Sequence, residues 1–132
     1  MRFFDHALET MPPKAIKEFQ IEKLRSMFKK IYGHNRFYTE KFEAAGIDHE
    51  TIQKINDMVQ IPLTNKEELI KAQQDNPPFG SNATFPESAY SRFHQTSGTT
   101  GKPLRVLDTP ESWEWWGRCW GFVLTGAGLT EN

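Results

Sequence analysis

Apolar residues recur at three- and four-residue intervals after Pro12-Pro13, at Ile16, Phe19, Leu24, Met27, Phe28, Ile31 and Tyr32, with Lys17, Glu18, Glu22, Lys23, Lys29 and Lys30 between them. That spacing gathers the apolar side chains on one stripe of a helix, whereas a strand would scatter them over both faces. It predicts an amphipathic helix ending near Gly33. Phe37, Tyr38, Phe42 and Ala45 predict a second short helix, stopped by Gly46 in the C-terminal capping role. Asp48 is placed to cap a short turn carrying Ile52 and Ile55. After the break at Ile61-Pro62-Leu63, Thr64-Asn65-Lys66-Glu67 has the T-x-x-E form of a capping box and predicts a fourth helix through Leu69 and Ile70.

The second half reads differently. Pro77, Pro78, Gly80, Ser81, Asn82 and Pro86 predict a surface loop over 76–88. Ala89-Tyr90-Ser91-Arg92-Phe93-His94 and Leu104-Arg105-Val106-Leu107 are strand candidates with a glycine-rich turn between them. Thr109 is a helix cap with Pro110 at the first helical position, where a missing N–H costs nothing. The helix then runs through four tryptophans to about Thr125, with Gly126 as its stop. Nine of the ten lysines lie between Lys14 and Lys71, so the first half reads as solvated helices and the second as something more buried. The fold class is α+β: a mainly helical N-terminal half, then a β-hairpin with a glycine-rich loop and a Trp-rich helix.

Charge excludes some function classes. Sixteen Lys+Arg against 17 Asp+Glu leave a formal charge of −1, which provides no basic field for nucleic acid or anionic lipid. A single cysteine, Cys119, excludes an intramolecular disulfide framework and any multi-cysteine metal site. No stretch approaches the roughly 20 apolar residues of a membrane span. The expectation is a cytoplasmic protein with neither nucleic acid nor membrane as partner.

The segment that carries chemistry is His94-Gln95-Thr96-Ser97-Gly98-Thr99-Thr100-Gly101-Lys102-Pro103. Its glycines let backbone N–H groups converge on anionic oxygens, hydroxyls of Ser97, Thr99 and Thr100 can donate further bonds, and Lys102 adds a point charge. A polyphosphate is the ligand such a loop suits. The same composition also suits an ordinary hairpin turn, because Gly, Ser and Thr are common turn residues. The nucleoside-triphosphatase pattern G-x-x-x-x-G-K-[ST] fails on inspection. It would put Thr96 where its first glycine belongs, and Pro103 where its metal-binding hydroxyl belongs. That pattern also needs a helix directly after the lysine, whereas Leu104 to Leu107 is β-type.

Arg92-Phe93-His94-Gln95-Thr96-Ser97-Gly98-Thr99-Thr100-Gly101-Lys102-Pro103 resembles the phosphate-loop signature of adenylate-forming enzymes, in the R-x-H-x-[ST]-S-G-T-T-G-K-P form of phenylacetate–CoA ligases and their relatives. Gln20, Phe37-Tyr38, Ala45-Gly46 and Ile61-Pro62-Leu63-Thr64-Asn65-Lys66-Glu67-Glu68-Leu69 resemble that family's N-terminal helices and its L-P-[FL]-T-x-K-x-[DE]-L segment. Downstream, Asp108-Thr109-Pro110 and the helix ending in Gly126-Ala127-Gly128 fit as well. The resemblance covers the chain from about residue 10 to its end.

It implies a reaction in which a carboxylic acid, aryl in the best-known members, joins ATP with release of pyrophosphate. The acyl-adenylate then passes to coenzyme A. Thr96, Ser97, Gly98, Thr99, Thr100, Gly101 and Lys102 would contact the ATP phosphates, His94 would shape the loop or the acyl site, and Mg²⁺ would ride on the phosphates with few protein ligands. No catalytic residue and no protein metal ligand is assigned. The family's later elements, an acidic motif, a ribose-binding aspartate and a C-terminal lysine, have no counterpart here. The chain is therefore expected to be the N-terminal part (1–132) of an AMP-binding, or adenylation, domain, arising by truncation or gene splitting and inactive alone. Its expected parts are a helical region over about 10–75, a loop over 76–88, a phosphate-loop hairpin over 89–107 and a buried helix over 110–125.

Other residues have plainer readings. His94 serves equally well as a strand-end histidine satisfying nearby carbonyls, and His6, His34 and His49 receive no role. Trp113, Trp116, Trp120 and Val123 form one helical row with Trp115, Cys119 and Phe122 beside it, a surface wide enough to expect core packing on more than one side. In a partial domain some of that surface would lie bare, offered to the missing C-terminal part or to self-association. The competing reading from another class is a split or remnant chain that acts as a helical interaction module.

Overall fold

The computed structural model describes residues 2–97 and 102–129. Its helices are α1 (His6–Glu9), α2 (Pro13–Ile31), α3 (Arg36–Ala44), α4 (Lys66–Asp75) and α5 (Pro110–Gly126), and its strands are β1 (Arg92–Gln95) and β2 (Arg105–Asp108). Two short 3₁₀ segments, Ile55–Gln60 and Glu87–Ala89, join them. The order is α+β, helices first and hairpin second.

The stripe on α2 buries Phe28 completely against Phe42 of α3, with ring centroids 4.8 Å apart. Ile47 and Ile52 complete this core, flanked by Ile21, Leu24, Tyr38 and Ile61. Burying each such side chain contributes about 1.5–3 kcal/mol, so this cluster is the main apolar anchor of the helical half. Gly46 makes it possible to return Ile47 to the core. At φ +69° it takes the left-handed position after α3, its N–H reaches the Glu43 carbonyl, and the Ile47 N–H reaches the Phe42 carbonyl.

Four sequence expectations need correction. The capping box of α4 is shifted by one residue. Asn65 accepts from the Glu68 N–H at 2.9 Å, and Glu68 accepts from the Asn65 N–H at 2.8 Å, so Asn65-x-x-Glu68 closes the helix start in place of Thr64-x-x-Glu67. Gly126 is the last residue of α5 and not the stop after it; Gly128, at φ +87°, supplies the left-handed turn. The stretch 76–88 is more than a surface loop. Phe79 to Thr84 are half-buried, and Asn82 and Thr84 accept from the buried Asn35 side chain at 2.7 and 3.0 Å.

The fourth correction concerns α5. None of its residues is buried, and Trp116 and Trp120 are 54% and 45% exposed. Residues of the helical half and the N-terminus meet the side that carries Glu111, Trp115, Arg118 and Phe122. Lys30 pairs with Glu111 at 2.8 Å, the Lys23 ammonium lies over the Trp115 ring, Asp5 pairs with Arg118, and Phe4 meets Phe122 edge-on. The Lys30 ammonium holds the Glu111 carboxyl below the usual carboxylate range. The last two contacts form an N-terminal clasp, made by Phe4 and Asp5 immediately before helix α1, which carries no strong sequence signal. Cys119 is accordingly exposed, not a small core hydrophobe.

Candidate functional site

The hairpin is antiparallel, with Arg92 opposite Asp108, Phe93 opposite Leu107, His94 opposite Val106 and Gln95 opposite Arg105. It is closed at its neck by one residue. The Thr96 N–H donates to the Leu104 carbonyl at 3.0 Å, and the Leu104 N–H donates to the Thr96 hydroxyl oxygen at 2.9 Å. Thr96 therefore spends an acceptor position on the neck and keeps its hydroxyl proton to donate. Ser97 and Lys102 flank the turn and are exposed. Gly98, Thr99, Thr100 and Gly101 lie outside the described residues, so the structure brings Thr96, Ser97 and Lys102 to the same end of the hairpin and leaves the four central positions unplaced.

The hairpin is held on both flanks. On the β2 side the buried Gln73 of α4 bonds the backbone of Arg105, whose guanidinium donates to the Pro78 carbonyl at 2.9 Å. On the β1 side His94 stacks on Trp113, with centroids 5.3 Å apart and planes within 16°, and its Nε2 lies 3.3 Å from Asp108 Oδ2. The Arg92 guanidinium sits 4.5 Å from the centre of the same indole. Asp108 Oδ1 accepts from the Ser112 hydroxyl at 2.9 Å, and Thr109 caps α5 by accepting from the Ser112 N–H at 3.1 Å. Of this group the sequence reading gave a site role only to His94. Strand alternation from Arg92 to His94, with Asp108 at the far end of the hairpin, was the available signal.

Concavities lie elsewhere. A groove of about 660 Å³ between α3 and α4 is lined by Arg36, Glu40, Lys41, Glu68, Lys71 and Asp75 among others, and those six charges pair with one another. A smaller cavity of about 170 Å³ lies between Leu69, Phe79, Tyr90 and β2. Among the described residues no group of three or more His, Cys, Asp or Glu could hold a metal ion, and no helix is long and apolar enough to cross a membrane.

No protein-family model matches the chain. Curated proteins do. It is 35% identical over 99 residues to the phenylacetate–coenzyme A ligase of Thermus thermophilus, covering 75% of this chain and 21% of that protein. It is 31% identical over 121 residues to the phenylacetate–coenzyme A ligase of Escherichia coli, covering 92% of this chain and 26% of that one. The chain is a homologue of the phenylacetate–CoA ligases. Its fold agrees. An open conformation of 2-hydroxyisobutyryl-CoA ligase in complex with 2-HIB-AMP and CoA superposes with a TM-score of 0.87 at 25% identity, over 98% of this chain and 30% of that one. The chain thus matches an N-terminal portion of an adenylate-forming enzyme and spans about a quarter or less of the curated relatives' length.

Proposed function

We propose that this chain serves the ATP-dependent activation of a carboxylic acid, an aryl acid by the name of its curated relatives, and that it supplies the loop that binds the ATP phosphates. The observation that carries this reading is the hairpin neck at Thr96 and Leu104, which brings Thr96, Ser97 and Lys102, the described ends of the string Thr96-Ser97-Gly98-Thr99-Thr100-Gly101-Lys102, to one end of a hairpin anchored on both flanks.

In this reading a carboxylate oxygen attacks the α-phosphorus, pyrophosphate leaves, and an acyl-adenylate forms. The coenzyme A thiol then attacks the acyl carbon and AMP leaves, with the thiol proton passing to solvent. The loop works by position and charge. Backbone N–H groups at Gly98 and Gly101, the hydroxyls of Ser97, Thr99 and Thr100, and the Lys102 ammonium hold the β- and γ-phosphates and offset the charge that builds as pyrophosphate departs. Mg²⁺ enters as Mg·ATP, carried by the substrate's own oxygens. These reactants are those of a cytoplasmic enzyme, and the catalytic groups of the reaction belong to parts of the fold that the 132 residues do not match.

The bare row of Trp116, Trp120 and Val123 supports a second reading, a non-catalytic helical interaction module. A chimera separates the two. The matching residues of the Thermus thermophilus ligase are replaced with those of this chain, and phenylacetate-dependent exchange of pyrophosphate into ATP is measured. The first reading predicts exchange that Gly98→Val abolishes. A folded chimera with no exchange, or with exchange indifferent to Gly98→Val, overturns it.

A further inference from the structure

We propose that His94 is a positioning residue that fixes the phosphate-loop hairpin against α5, and that Asp108 and Trp113 are the groups that hold it. The inference rests on the phosphate-loop reading and decides between the two roles open to His94, shaping the loop or touching the acyl group.

A two-stranded hairpin is marginal in water unless something packs on it. Here all four residues of β1 are exposed, so the strand relies on specific anchors. On the β2 side the anchor is Gln73. On the β1 side it is a face made by alternation: Arg92 and His94 point the same way, and α5 begins directly after β2, which brings Trp113 onto that face. The His94 ring is committed twice. One face lies on the indole, and Nε2 lies against Asp108. Asp108 is committed as well, since its other oxygen accepts from Ser112 in the first turn of α5 and its carbonyl accepts from the Ser91 N–H at 2.9 Å. Asp108 thus ties three places together: its backbone carbonyl holds the start of β1, and its carboxylate joins His94 of β1 to Ser112 at the start of α5. Two residues beyond His94, just past the end of β1, stands Thr96, the neck of the loop. Holding β1 in one orientation aims the neck, and a loop aimed before the ligand arrives loses less freedom on binding.

The test is the dissociation constant of Mg·ATP, by calorimetry, for the wild-type chain, His94→Gln, Asp108→Asn and the double variant, with unfolding midpoints recorded alongside. Stacking and partly exposed charge contacts together correspond to roughly a tenfold effect. Each single variant is expected to raise the constant by about that factor, and the double variant by no more than the larger single effect, because the two groups form one device. Trp113→Phe keeps an aromatic face and is expected to bind like wild type, whereas Trp113→Ala is expected to follow His94→Gln. Single variants that bind like wild type, or effects that multiply in the double variant, overturn the inference while leaving the phosphate loop standing. A wild-type chain that does not bind Mg·ATP overturns the phosphate-loop reading and this inference with it.

Discussion

The Gln73 side-chain amide pairs with both backbone groups of Arg105: its Nε2 donates to the carbonyl at 2.6 Å, and its Oε1 accepts from the N–H at 3.1 Å. One side chain of α4 thereby occupies the outer edge of β2 as a neighbouring strand would. Gln73 is buried, so both backbone groups depend on it for partners. Gln73→Leu keeps the bulk and removes the amide. We predict a loss of about 1–3 kcal/mol, read as a fall of several degrees in the unfolding midpoint. An unchanged midpoint would show that water replaces the amide without cost.

Glu68 joins two structures. It closes the capping box at the start of α4, and both its oxygens accept from the Lys41 ammonium of α3, at 2.7 and 2.8 Å. The Lys41 hydrogen bond first, and the Asn65 N–H second, hold its carboxyl below the usual glutamate range. A carboxyl with a lowered folded-state pKa stabilises the fold above its unfolded value, and that contribution is lost as pH falls through the folded value. Glu68→Gln is therefore expected to be less stable than wild type at neutral pH, with the gap closing on acidification below the ordinary glutamate range. Urea titrations at several pH values measure it. Asp48 and Asp57, also held low by local hydrogen bonds, leave the variant a residual acid slope. A gap that stays constant with pH would contradict the role of the charge.

The N-terminal clasp depends on Gly121. A Cβ there would stand 2.4 Å from two atoms of the Phe4 ring, far inside contact distance. The ring is 45% exposed and can be pushed away, so α5 itself should survive Gly121→Ala and even gain up to about 1 kcal/mol in helix propensity. The predicted effect is local: amide exchange accelerates over Phe4 to Glu9, and the core around Phe28 keeps its protection. Unaltered exchange over the clasp would mean that Phe4 does not pack on Gly121.

Signals that act over a few residues were legible in the sequence. The stripe of α2, the Gly46 stop, and the Thr109-Pro110 start of α5 depend on backbone geometry that neighbouring residues dictate, and the loop string, with the segments before and after it, pointed to the family. Near-equivalent local signals were not separable: Thr64-x-x-Glu67 and Asn65-x-x-Glu68 both satisfy the capping pattern, and the chain chooses the second because Glu68 also meets Lys41. Long-range pairings left no trace in local pattern, as Gln73 with Arg105 and His94 with Asp108 show. The tryptophan row misled for a related reason. Apolar periodicity reports a face that seeks burial, and of the row's four members only Trp113 is half-buried, beneath Arg92 and His94, while its successors Trp116 and Trp120 have no such cover.

The central claim is that residues 96–102 bind the phosphates of ATP, and the most direct measurement is calorimetric binding of Mg·ATP and of AMP to the wild-type chain and to Lys102→Ala. Lys102 is exposed at the mouth of the hairpin, and a charge-assisted contact is worth about 1.5–3 kcal/mol, so its loss is predicted to weaken Mg·ATP binding by roughly ten- to a hundredfold while AMP binding changes little. Equal affinity of both proteins for Mg·ATP, or no binding by the wild-type chain, would contradict the claim.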